Sequence, residues 1–143
     1  MNKTFHEIFS EVEKASSRKD KISALQKYSG PALKQVLGLT FDPAVVWLLP
    51  EGTPPYKPLP KYADQEVALQ SELRKMYLFL EGNSDTQRNL KQVRREQLFI
   101  GLLESIDPDD AKVVIGMKDR KLPYKGITRK LVAEAFPNLA KNW

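Results

Sequence analysis

The chain has 143 residues, 41% of them hydrophobic, and carries 23 Lys and Arg against 18 Asp and Glu, a net charge of +5. That length favours one domain, residues 1–143, around one sizeable core, and the charge excess favours an acidic partner without demanding nucleic acid. Cysteine is absent, which excludes disulfides, thiolate metal sites and cysteine nucleophiles and agrees with a reducing cytoplasm.

Helix signals run along the chain and strand signals are scarce. Phe5, Ile8, Phe9 and Val12 recur at helical spacing and predict a first helix from about Thr4 to Ala15. Ser17 starts a second, with Asp20 as an acidic capping-box variant and Ile22, Leu25 and Tyr28 turned inward. Gly30 and Pro31 open a third that buries Leu33, Val36 and Leu37, because Pro suits the first helical position. Asp42-Pro43 predicts a short fourth over AVVWLL, apolar all round and hence buried, with Trp47 in the core. The stretch Pro50 to Tyr62 is too rich in proline for helix or central strand and reads as a semi-rigid surface connection.

A long helix is expected from about Asp64 to Glu81, stopped at Gly82. Ser84 with Gln87 forms a capping box that launches a helix to about Ser105. Asp107-Pro108 starts another through Ala111, Val114, Ile115 and Met117, and the last runs from Thr128 to about Phe136, before Pro137. The expectation is an all-α fold, a single compact bundle of about eight helices. PAVVWLLP and QLFIGLL are too short to span a membrane, and the acids of MNKTFHEIFSEVEK do not suit a signal peptide. The protein is therefore expected to be soluble, unprocessed and cytoplasmic, with no membrane partner.

Little of the sequence carries catalytic chemistry. His6, the one histidine, reads as a surface residue on the polar side of the first helix, without the positioned partner that general-base work needs. Asp107, Asp109 and Asp110 read as acids complementing a helix start, with no EF-hand spacing and no metal. Phosphate-binding glycine loops are missing, so neither an enzyme nor a cofactor is expected. Pro55 to Pro58 matches a PxxP template that an SH3-like partner could read, but the match is short and the stretch reads as a loop stiffened against fraying. Lys91, Arg94 and Arg95 read as a solvated helix face or as a second basic cluster.

The stretch KDRKLPYKGITRKLVAEAFP is different. From Lys112 to Lys130 stand Lys112, Lys118, Arg120, Lys121, Lys125, Arg129 and Lys130, with Asp119 the one acid among them. Gly126 would let a backbone phosphate approach, and Thr128 would cap the last helix or donate to the same phosphate. Lys118, Arg120, Lys121, Lys125, Gly126, Thr128, Arg129 and Lys130 are therefore the candidate anion-binding residues, which the resemblance given below makes candidate DNA-binding residues. A solvated Lys-rich connector explains the composition equally well.

IFSEVEKASSRKDKISALQKYSGPALKQVLGLTFDP and VVIGMKDRKLPYKGITRKLVAEAFPNL resemble the all-helical N-terminal DNA-binding domain of ATP-dependent DNA ligases, in its compact bacteriophage form. Ile8, Lys21, Leu25, Leu33, Val36, Leu39, Thr40 and Phe41 carry the first half of the likeness. Arg120, Leu122, Gly126, Thr128 and Phe136 to Leu139 carry the second. The resemblance implies a helical bundle that holds duplex DNA beside a nick through phosphates and the minor groove, with Lys121, Lys125, Gly126, Thr128 and Arg129 in the matching turn. Pro123 and Tyr124 make that turn slightly longer than the family's.

The Lys-x-Asp-Gly adenylation motif and the OB domain of a complete ligase are missing, which implies a free-standing, non-enzymatic accessory protein. The resemblance makes it phage-encoded and active in the host cytoplasm, with duplex DNA, including nicked DNA, as its partner. The rival expectation is a protein-interaction module on the same scaffold, binding an acidic replication, transcription or virion protein.

Overall fold

The computed structural model describes residues 3–60 and 68–143. Among these residues the fold is all helical: α1 (Phe5–Lys14), α2 (Arg18–Lys27), α3 (Pro31–Phe41), α4 (Leu69–Glu72), α5 (Asp85–Asn89), α6 (Gln92–Ser105), α7 (Pro108–Lys118) and α8 (Arg129–Ala135). A 3₁₀ segment, Leu73–Phe79, continues α4.

Helix starts follow local chemistry. Thr4 and Glu7 form a reciprocal capping box at α1, and Ser84 and Gln87 form another at α5. Ser17, Asp107 and Thr128 each accept a hydrogen bond from a first-turn N–H, and Pro31 and Pro108 occupy first-turn positions where no N–H is needed. Asp20 gives its own N–H to Ser17 and accepts a bond from the Ser16 hydroxyl, so the expected capping-box variant is a one-sided cap.

α7 organises the bundle. It packs against α1, α3 and α6 and buries Ala111, Val113, Val114 and Met117 on successive faces, as a helix enclosed by three neighbours must. α2 packs against both α1 and α8. Phe9, Val12, Leu25, Val36, Leu37, Leu103, Leu131 and Val132 complete a continuous core.

Three expected elements take other forms. AVVWLL is extended rather than helical: Leu48 N–H donates to Phe79 O at 2.7 Å and Glu81 N–H to Val46 O at 2.9 Å, around an isolated antiparallel bridge between Trp47 and Leu80. The Trp47 indole donates to Leu39 O at 3.0 Å, and Val46 is 46% exposed rather than core. Of the long helix expected from Asp64 to Glu81, residues 64–67 lie outside the described residues; the remainder is α4 and the 3₁₀ segment, ending at Phe79. The helix expected from Ser84 to Ser105 breaks at Leu90 and Lys91, both extended, which separates α5 from α6.

The proline stretch runs over the surface, except that Lys61 and Tyr62 lie outside the described residues. Two acids hold it. Gly52 N–H donates to Asp119 at 3.1 Å, and Lys57 N–H donates to Glu104 at 2.8 Å.

Candidate nucleic-acid interface

The basic stretch begins at the end of α7 with a Schellman closure. Lys121 N–H returns to Gly116 O at 2.9 Å and Arg120 N–H to Met117 O at 3.2 Å, with Arg120 left-handed at φ 65°. A Cβ on Gly116 would lie 2.9 Å from Lys121 O, so glycine lets the connector fold back this closely. Beyond it, Leu122, Tyr124 and Ile127 are buried, while Lys121, Pro123, Lys125, Gly126 and Thr128 are exposed. The alternation fastens the connector by its apolar residues and turns its cations outward.

Two of the expected phosphate ligands face inward, and their roles are corrected accordingly. Lys118 is 5% exposed, and its ammonium donates to Pro50 O at 2.7 Å, Gly52 O at 2.8 Å and Asp119 Oδ1 at 2.5 Å. A buried charge needs such partners, and these leave none of its three donors for a phosphate. The Arg120 guanidinium donates to the carbonyls of Leu39, Val45 and Asp42, closing the C-terminal end of α3. Burial lowers its pKa from the ordinary arginine value, against the pull of Asp42.

Gly126 has a different reason from the one expected. Its φ of +86° suits glycine, and the space a Cβ would take lies 3.1 Å from Lys21 Cε. The Lys21 ammonium donates to Val12 O at 3.1 Å and Glu13 O at 2.7 Å, satisfying carbonyls at the end of α1. Thr128 caps α8, accepting from Leu131 N–H at 3.2 Å.

Lys121, Lys125, Arg129 and Lys130 remain. All four are exposed, and none has an ion pair among the described residues. Between Asp119 and Glu134 the chain has no acid, and Glu134 itself is engaged by Arg18 at 2.9 Å. Glu13 reaches the turn from α1, accepting a hydrogen bond from Lys125 N–H at 2.6 Å.

The second cluster shrinks too. Arg95 is 5% exposed and donates to Leu78 O, Gln87 O and Gln92 Oε1, tying the 3₁₀ segment to α5 and α6, so its reading as a solvated cation is corrected. Lys91 and Arg94 stay exposed. They rise from α6, which packs on α7, whereas the first cluster leads into α8, which packs on α2.

The sequence reading left one partnership unseen. His6 Nδ1 lies 2.8 Å from the Tyr124 hydroxyl, and Nε2 lies 3.6 Å from Asp109. Burial, then the nearby carboxylates of Asp110, Asp109 and Glu13, push the Tyr124 phenol well above its ordinary pKa. Its sequence signal was slight: a tyrosine between a proline and a lysine in a polar connector. No group of three or more His, Cys, Asp or Glu able to hold a metal occurs among the described residues. Among them also, no helix is long and apolar enough to cross a membrane.

Among known proteins, a model described as a family of unknown function, DUF6433, matches residues 8–124. No curated protein and no solved structure matches the chain.

Proposed function

As a member of DUF6433, a family of unknown function, the chain inherits no activity, and we propose from its surface chemistry that it is a non-enzymatic accessory protein binding the phosphate backbone of duplex DNA. The observation that carries this reading is the set Lys121, Lys125, Arg129 and Lys130, exposed on the connector and the first turn of α8, with the connector held in place by buried side chains. An ordered backbone at the turn spares the cost of ordering the connector itself on binding, and phosphate contacts supply affinity without reading sequence.

Duplex is favoured over single strands because Tyr124, at 8% exposure, and Phe136, at 7%, are buried and offer no platform for stacking unpaired bases. The resemblance to ligase DNA-binding domains leans the same way, although its matching Arg120 serves α3 and its matching Leu122 serves the core.

Titrations with intact, nicked and single-stranded DNA at several salt concentrations test the reading. Four neutralised phosphates give a slope of log K against log salt of about −3.5, and Lys121→Ala, Lys125→Ala and Arg129→Ala together flatten it by about 2.5 units. The fold should survive this triple change, because all three residues are exposed. An unchanged affinity and slope would move the weight to the protein-interaction reading. That rival has its own observation: Val46, Tyr77 and Val93 are large apolar residues left 46%, 45% and 69% exposed.

A further inference from the structure

We propose that the Glu13 carboxylate occupies a phosphate-oxygen site on the basic turn, and that a backbone phosphate of bound DNA displaces it from the Lys125 N–H. This rests on the duplex-binding reading and adds to it a defined subsite and an internal competitor.

Glu13 stands near the end of α1, yet its Oε2 accepts the Lys125 N–H across 112 residues of chain at 2.6 Å. The geometry is that of a charge-assisted bond from a backbone donor to an oxyanion, the contact that non-bridging phosphate oxygens make with loops. Two neighbours favour negative charge at this point. The Lys21 side chain runs beside Gly126, and its ammonium, donating to the carbonyls of Val12 and Glu13, brings a positive charge to the junction of α1 and the turn. The Lys125 side chain is exposed and unpaired among the described residues.

Gly126, with φ +86° and no Cβ, lets the Lys21 side chain pass close beside the turn. Glu13 is only partly buried, so its side chain can rotate into water without disturbing the α1 backbone. A carboxylate has one charge and a flexible stem; a duplex presents a row of phosphates that engage Lys121, Arg129 and Lys130 in the same event. The row wins the exchange by its added contacts, while Glu13 screens the site against lone anions.

Two variants separate displacement from a general charge effect. Glu13→Gln removes the charge, whereas Glu13→Asp keeps it but is too short to reach the Lys125 N–H. In the full-length protein, titrated with a 20-base-pair duplex, both should bind about two- to fivefold more tightly than the unaltered chain, the range of one exposed ionic contact. Adding duplex to the unaltered chain should also shift the Lys125 amide resonance away from its Glu13-bound position.

A gain in Glu13→Gln with none in Glu13→Asp would overturn the subsite and leave only long-range charge. Equal affinity in all three chains would overturn it while leaving duplex binding standing. No binding in any chain would remove both.

Discussion

The imidazole of His6 and the phenol of Tyr124, 118 residues apart in sequence, meet at 2.8 Å and join the first turn of α1 to the middle of the basic connector. Tyr124 also sets its ring against Phe9, with centroids 5.5 Å apart, so the connector is seated by a hydrogen bond at one end of the side chain and by packing along its length. Tyr124→Phe keeps the packing and loses the bond. We expect it to cost about 1 kcal/mol in denaturant unfolding. Combining it with His6→Gln should cost less than the two single changes summed, because both remove the same contact.

Lys118 is a larger liability. Replacing its ammonium, as in Lys118→Met, strands the carbonyls of Pro50 and Gly52 and leaves Asp119 without its 2.5 Å partner. Asp119 is 22% exposed and keeps the Gly52 N–H, so the expected cost is about 1–3 kcal/mol. The expected signature is a lowered unfolding midpoint together with faster proteolysis within residues 50–60, which Lys118 holds down.

Two helical glycines should respond in opposite directions to alanine. At Gly116 the new methyl meets Lys121 O and Pro123 Cδ, each at 2.9 Å, and neither backbone nor ring can yield cheaply. We expect Gly116→Ala to destabilise by about 1–3 kcal/mol. At Gly101, exposed on α6, nothing lies within 4 Å, and Gly101→Ala should stabilise by about 0.5–1 kcal/mol through helix propensity. Thermal unfolding of the two variants reads both signs.

Acid should loosen the α1–α2 pair. Hydrogen bonds from Tyr28 at 2.6 Å and Lys3 at 3.1 Å, with Lys27 close by, bring the Glu11 carboxyl down from 4.5 to about 2. A carboxyl depressed on folding contributes stability that is full above its unfolded value of 4.5 and is lost as pH falls toward about 2. The unfolding midpoint of the unaltered chain should therefore fall over this window more steeply than that of Glu11→Gln. Added salt should narrow the difference, because the group is partly open to solvent.

Cap chemistry made much of the fold legible, because a cap is settled within about four residues: Ser84 with Gln87, Pro108 after Asp107 and Thr128 all stand at helix starts. AVVWLL was misread because its apolar run fits a buried helix or a strand alike, and the decision came from Phe79 and Glu81, more than thirty residues away. The β-branched Val45 and Val46 were the local hint.

The candidate site was legible in position but not in membership. Whether a lysine faces water depends on acceptors that sequence does not bring near it, and the two carbonyl acceptors of Lys118 lie 66 and 68 residues upstream. Lys121 and Lys125 could be separated from Lys118 only by knowing which connector residues are buried.

The seating of α8 on α2 has a consequence for how the chain is made. α2 buries only Leu25 among its own residues, and its partner surface, including Leu131 and Val132, is synthesised roughly a hundred residues later. Arg18 waits for Glu134, and the Gln26 amide waits for Ala135 O, across 116 and 109 residues. During synthesis α2 therefore leaves the ribosome without its α8 partner, while α3 and α6 can pack on α7 before α8 is made. Closing so long a stretch of chain at the last step makes this helical protein fold more slowly than its secondary structure alone would suggest.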